Sequence, residues 1–319
     1  MKFAFVFPGQ GSQSLGMMAG YGDAAAPVRE TFTEASDVLG QDLWAMVAEG
    51  SEDALNLTVN TQPAMLAAGV AVYRLWQSMG GQTPSMMAGH SLGEYTALVC
   101  ANALSFSDAI KLVRLRAEAM QSAVPEGVGA MAALLGLDEA SVRAVCVEAA
   151  ENEVLQAANY NSPGQVVIAG NKAAVARACL LAKAKGAKRA LPLPLSVPSH
   201  CALMQPAAEK LREALASTEF RQPSVTVLHN VDVSAHVDPA TLRDILVQQL
   251  YSPVRWVETV QAFAQEGMEL IAECGPGKVL TGLNKRIVTG VQCVALPDTA
   301  AMNAVFDTSF AAVIVDNNA

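Results

Sequence analysis

Gly89-His90-Ser91-Leu92-Gly93 is the tightest constraint on how this chain can fold. The five residues follow a short apolar run, Ser85 to Ala88, and lead into Leu92 to Ala103, whose apolar spacing is helical. The chain must therefore pass from strand to helix through one sharp turn. Glycine permits such a turn, which leaves the Ser91 hydroxyl exposed at its apex with the N–H of Leu92 beside it. A second junction of the same kind stands at the start, where the apolar run Lys2 to Phe7 is stopped by Pro8-Gly9 and followed by the loop GQGSQ at 9–13.

Between and beyond these junctions the pattern predicts helices at Val28 to Leu39, Gln62 to Met79 and Asp108 to Ala123, the last with Ser107 as N-cap and Pro125 past its end. From Gly129 the order changes. An apolar run to Leu137, a helix at Asp138 to Glu151, a run at Val154 to Asn161 and the turn Ser162-Pro163-Gly164 form a first half. Strand Gln165 to Gly170, helix Lys172 to Lys185 and strand Ala187 to Leu195 form a second. That order, βαββαβ, is the ferredoxin-like arrangement. After Pro198 helices are expected at Met204 to Ala216, Ala240 to Leu250, Val254 to Gln265 and Val279 to Val288. Strands are expected at Val225 to His229, Leu270 to Glu273 and Val291 to Ala295. Alternating strands and helices imply an α/β domain with a mainly parallel sheet covered on both faces. We expect a large domain of residues 1–126 and 198–319, with a small ferredoxin-like domain, 127–197, inserted in it.

Composition narrows the function classes. With 319 residues, 52% hydrophobic and 16% charged, the chain can bury a large core, so disorder is excluded. Its longest uncharged apolar stretch, Ala64 to Tyr73, is too short to span a bilayer, and MKFAFVF is too short for a signal-peptide core. We expect a soluble, unexported, cytoplasmic monomer. Six scattered cysteines without CxxC pairing read as reduced thiols, and four histidines without metal-ligand spacing imply no metal. A net charge of −9 opposes nonspecific nucleic-acid binding.

Ser91 in this context reads as a nucleophile, against an ordinary turn serine. It needs a base, and besides His90 the chain offers His200 in SVPSHC, His229 at a strand end and His236 in a polar loop. His200 is preferred because it lies just past a strand end, where sites gather in α/β proteins, against the ordinary reading of a satisfied core histidine. No histidine follows 236, so the hydrolase order of Ser, acid, then a late His is not met. Arg116 falls in an apolar stripe with Ala109, Leu112, Val113 and Met120. It either pairs with an internal carboxylate, snorkels, or waits for an anionic ligand. Gln10 could offer its N–H as an oxyanion donor, against a plain glycine turn. Lys183, Lys185, Lys188 and Arg189, and Lys278, Lys285 and Arg286, form basic clusters that are either solvated faces or a docking surface.

FPGQGSQ (7–13), GHSLGE (89–94), the Arg116 helix, NSPGQ (161–165), SVPSHC (196–201) and GPGKVLTGL (275–283) together resemble the malonyl-CoA:acyl carrier protein transacylases of bacterial type II fatty acid synthesis, over roughly residues 2 to 300. The resemblance implies an α/β-hydrolase-like large domain and an acyltransferase that needs no cofactor of its own. Malonyl-CoA would be the donor, and the phosphopantetheine thiol of an acidic acyl carrier protein the acceptor. It places the nucleophile on Ser91 and the base on His200, oriented by the backbone carbonyl of Gln249 instead of an acid. The malonyl carboxylate falls to Arg116 and the oxyanion hole to Gln10 and Leu92. Residues 303–319, with their VFDTSFAAVIV run, depart from the family pattern and read as a final element or a disordered tail. A hydrolase or thioesterase, a polyketide acyltransferase for another extender unit, and an inactive carrier-binding module are the competing readings.

Overall fold

Phe3–Phe7 (β1) is buried along its whole length, as a strand flanked by neighbours and covered on both faces must be. The computed structural model describes residues 1–22, 26–194 and 197–306. β1 pairs in parallel with Met86–Gly89 (β2) on one side and Leu270–Glu273 (β8) on the other. Thr226–Leu228 (β7) extends the sheet beyond β2, and Gln292–Ala295 (β9) extends it beyond β8, giving the order β7-β2-β1-β8-β9 with every pair parallel. A second sheet is built from Gly129–Leu135 (β3), Leu155–Ser162 (β4), Gln165–Asn171 (β5) and Arg189–Pro192 (β6).

The chain forms two compact units. One comprises Met1–Arg114, Phe220–Leu228 and Gln261–Ala319, and the other Leu115–Glu219 and His229–Val260. In the first, the helix Thr58–Ser78 covers β1, and Trp76 sets its ring edge-on to Phe5 at 5.2 Å and near Phe3 at 6.2 Å. Trp76 also stacks on Phe306 at 4.4 Å, so the start of the unmatched terminal segment packs on this core. The remainder of that segment, 307–319, lies outside the described residues, as do Leu195 and Ser196 of the expected strand and motif.

The second unit holds an antiparallel sheet in the order β4-β5-β3-β6. With the helices Glu139–Ala150 and Lys172–Ala184 between its strands, this is the ferredoxin-like order read from the sequence. Alternate residues of β3 serve different cores. Leu134 packs with Val142, Val145, Ile168 and Val175 beneath the two helices, whereas Met131 and Ala133 pack with Val167, Ala169 and Cys201 on the other face. This compact unit also takes in residues beyond the sheet and its two helices. Val254 and the β4 residues Ala158 and Tyr160 exchange main-chain hydrogen bonds of 2.9 Å, which ties the segment after the helix Pro239–Gln249 to this sheet.

One local expectation changes. The helix Phe106–Ser122 is capped by Ser105, not Ser107, because the Ser105 hydroxyl accepts from Asp108 N–H at 3.1 Å while donating to the Asp108 carboxylate at 2.7 Å. Two short helices also stand between the helices expected at Val28 to Leu39 and Gln62 to Met79, in a stretch given no element from the sequence: Leu43–Glu49, capped by Asp42, and Glu52–Asn56, capped by Ser51.

Candidate active site

The chain reverses between β1 and β2 on one side and β8 on the other, so the crevice beyond their carboxyl ends is the switch point at which α/β proteins place sites. The turn after β2 is closed so tightly that a Cβ on Gly89 would lie 1.8 Å from the carbonyl carbon of Gly93, and one on Gly93 would lie 2.0 Å from the Phe7 oxygen. Only hydrogen fits at either place. Ser91 sits between them at φ +52°, a left-handed conformation that serine adopts only when its surroundings impose it. The carbonyls of His90, Ser91 and Leu92 accept from Gly93, Glu94 and Tyr95 at 2.9, 3.1 and 3.0 Å, so the helix Gly93–Cys100 begins immediately and the turn cannot relax. Leu92 N–H therefore stands at a helix N-terminus, where partial positive charge favours a developing anion.

The loop after β1 lies against this elbow. A Cβ on Gly9 would meet the His90 oxygen at 2.5 Å and sit 3.7 Å from Leu92 N, which places the Gln10 loop beside the Leu92 amide. The Gln10 side chain is turned aside, donating from Nε2 to Thr58 Oγ1 at 3.3 Å. Gln13 accepts from Gly11 N–H at 2.7 Å and donates to Asn56 at 2.8 Å, which stiffens the loop.

Three candidates belong to the second unit and are joined there. His200, only 3% exposed, also has positive φ, +62°. Its main-chain N–H donates to Leu250 O at 2.9 Å, and its ring Nδ1 lies 2.8 Å from Gln249 O. A carbonyl oxygen can only accept, so the proton resides on Nδ1 and the lone pair on Nε2, the arrangement a general base requires. Arg116, 1% exposed, donates from Nη2 to Gln249 Oε1 at 3.1 Å. Of the sequence alternatives for Arg116, snorkelling is excluded by this burial. Next to the base, Cys201 is pinned in the apolar layer above β3. Burial pushes its thiol up to about 11 and its S–H donates to Pro198 O at 3.1 Å, so it stays protonated beside His200.

Residues 4–298 match the acyl transferase domain family. Over 306 residues the chain is 57% identical to the malonyl CoA-acyl carrier protein transacylase of Escherichia coli strain K12, covering 96% of this chain and 99% of that relative. The protein of the same name from Haemophilus influenzae is 58% identical over 305 residues, covering 95% and 98%. The chain belongs to the malonyl CoA-acyl carrier protein transacylase family. An acyl carrier protein S-malonyltransferase from Vibrio cholerae superposes with a TM-score of 0.94 at 56% identity, covering 96% of this chain and all (100%) of that one. A malonyl-transacylase solved in complex with its type II PKS acyl-carrier protein gives 0.95 at 55% identity, covering 97% and 100%.

For a chain of the transacylase family, the remaining sequence candidates separate cleanly. His236 pairs through Nε2 with Asp232 at 2.7 Å, and its ring centroid is 5.4 Å from that of buried His229. Lys183, Lys188, Arg189, Lys278, Lys285 and Arg286 are exposed, whereas Lys185 is paired with Glu148. Among the described residues, no group of three or more His, Cys, Asp or Glu is placed to hold a metal, and no helix is long and apolar enough to cross a membrane. The Gln249 side chain is the contact that residue-level reading missed. Leu242, Ile245 and Leu246 are buried on its helix, and Gln249 continues that stripe, the same anomaly that singles out Arg116.

Proposed function

We propose that this protein moves a malonyl group from malonyl-CoA to the phosphopantetheine thiol of an acyl carrier protein through a malonyl ester on Ser91, supplying extender units for fatty acid synthesis. The observation that carries this reading is 57% identity to a malonyl CoA-acyl carrier protein transacylase over 96% of the chain. The glycine-closed elbow at Ser91 and the Nδ1-protonated His200 support the assignment of roles.

In the first half-reaction Nε2 of His200 takes the Ser91 proton as Oγ bonds to the thioester carbon. The carbonyl electron pair moves onto oxygen, held by the N–H groups of Gln10 and Leu92. Collapse of this adduct breaks the carbon–sulfur bond, and CoA leaves as a thiol with the proton from His200. In the second half-reaction the carrier thiol yields its proton to His200 and attacks the ester, and Ser91 Oγ leaves and recovers the proton. General-base assistance of this kind contributes about 10² to 10⁴-fold, and each oxyanion donor about 10² to 10³-fold. Neither distinguishes malonyl from acetyl. Arg116 does, because a carboxylate fills a guanidinium fork that an acetyl group leaves without its anionic partner.

The substrates and these side chains complete every step, so we assign no resident cofactor. We place the protein in the cytoplasm, in keeping with its six free, buried cysteines. Residues 127–197 we read as the inserted domain, and the exposed basic residues of the two clusters as the docking surface for an acidic carrier. Transfer assays with carrier bearing or lacking its phosphopantetheine arm test the function. Malonyl-carrier should form only with the arm present, and rapid release of free malonate in either case would indicate a hydrolase.

A further inference from the structure

His200 stands at φ +62°, in the left-handed region, so the turn that carries the base keeps its shape only because its surroundings impose it. We propose that Gln156 is a positioning residue for His200, its side-chain amide anchoring the far side of that turn to the edge strand β4. This rests on the reading of His200 as the base given above.

The contacts lie within one compact unit and converge on β4. Just beyond the base, Gln156 Oε1 accepts from Ala202 N–H at 2.7 Å. Ala202 opens the short helix Ala202–Met204, whose N-cap residue, Cys201, turns its thiol to Pro198 O instead of capping. The amide from β4 therefore satisfies an N–H that a helix start leaves open. On either side of Ala202, Cys201 and Leu203 pack into the apolar layer that holds Ala158 of the same strand. The near side of the base is held by Gln249 O and Leu250 O, and the segment that follows them is tied to β4 in turn. Val254 N–H donates to Ala158 O and Val254 O accepts from Tyr160 N–H, both at 2.9 Å, where the β4–β5 register slips between Ala157 and Asn159. One strand thus mounts both the turn of the base and the segment whose carbonyl orients its ring. Gln156 is the part of this mount that can be changed without opening the core, since its side chain is exposed. Truncating it hands the Ala202 N–H to water, which satisfies the donor but does not fix the turn.

The test follows malonylation of the protein by intact mass, giving its rate at saturating malonyl-CoA and the concentration that half-saturates it. The proteins compared are the wild type, Gln156→Leu, Gln156→Glu, His200→Ala and Gln156→Leu combined with His200→Ala. Gln156→Leu should lower the saturated rate by about 3- to 10-fold, the scale of one neutral hydrogen bond, with the half-saturating concentration unchanged. Gln156→Glu, which keeps an acceptor at the same reach, should recover most of that loss. In the His200→Ala background the leucine substitution should have no further effect, because a residue that acts through the base has nothing left to position. The same fold loss in both backgrounds, a wild-type rate for Gln156→Leu, or an effect confined to the half-saturating concentration would overturn the proposal and leave Gln156 a surface contact. If Gln156→Leu does not fold, Gln156→Asn, one methylene shorter, decides by the same comparison. A His200→Ala rate within about tenfold of the wild type is a different failure, that of the base reading itself, and overturns the proposal with it.

Discussion

His200 donates its Nδ1–H to the main-chain carbonyl of Gln249 across 2.8 Å. A neutral carbonyl thus does the orienting that a carboxylate does in a Ser-His-Asp triad, fixing the tautomer without adding a negative charge behind the imidazole. Replacing His200 by alanine removes the base while leaving the elbow and its amides in place. Transfer should fall by about 10² to 10⁴-fold, measured as kcat/KM for malonyl-CoA with carrier protein present. A loss below tenfold would assign the proton transfer to another group.

Arg116 lies within an otherwise apolar helix face, with its Nη2 on Gln249. Arg116→Ala should cut malonyl transfer and narrow the preference for malonyl over acetyl by about 10- to 150-fold, the equivalent of one lost charged hydrogen-bond pair. Competition assays with both thioesters measure it, and an unaltered preference would make Arg116 a structural cation.

The elbow predicts where substitution is not tolerated. Gly93→Ala would set a methyl group 2.0 Å from the Phe7 oxygen and so drive β1 and β2 apart. The expected cost is about 3 kcal/mol or more, seen as a large drop in the urea midpoint and in soluble yield. A variant with wild-type stability would mean that the turn opens freely.

Glu273 ends β8 fully buried, its two carboxylate oxygens accepting from Leu280 N–H at 3.1 Å and Thr281 N–H at 2.7 Å. Burial pushes its pKa up, only partly offset by those N–H groups. A carboxyl whose folded pKa exceeds its unfolded value of about 4.3 costs the fold stability once it ionises, so stability falls as pH rises through the folded pKa. Glu273→Gln has no such proton to lose. The stability difference between variant and wild type should therefore shift in the variant's favour as pH is raised from about 4 to about 8, followed by denaturant titration at each pH. A constant difference across that range would contradict it.

Much of the site could be read from the sequence because its devices are local. Strand, glycine-bounded turn and helix lie within a few residues of Ser91, and both glycines prove to be places where no Cβ fits. Arg116 stood out through helical periodicity alone. Ser105 and Ser107 could not be told apart by that means, since either precedes an apolar repeat and only the reciprocal bonds with Asp108 choose between them. The short helices after Asp42 and Ser51 carry clear caps but too few residues to show a period. The pairing of Arg116 with the Gln249 side chain spans 133 positions, so no local pattern could announce it, although each partner's misplaced polarity was visible.

In the proposed mechanism Ser91 carries the malonyl group. The intact mass of the protein, taken after brief exposure to malonyl-CoA beside a Ser91→Ala control and an acetyl-CoA sample, tests it most directly. The expected result is a single malonyl adduct on the wild type, absent from Ser91→Ala, weaker with acetyl-CoA, and discharged faster by carrier protein than by water. A folded wild-type protein with no adduct, or an adduct that persists in Ser91→Ala, would contradict it.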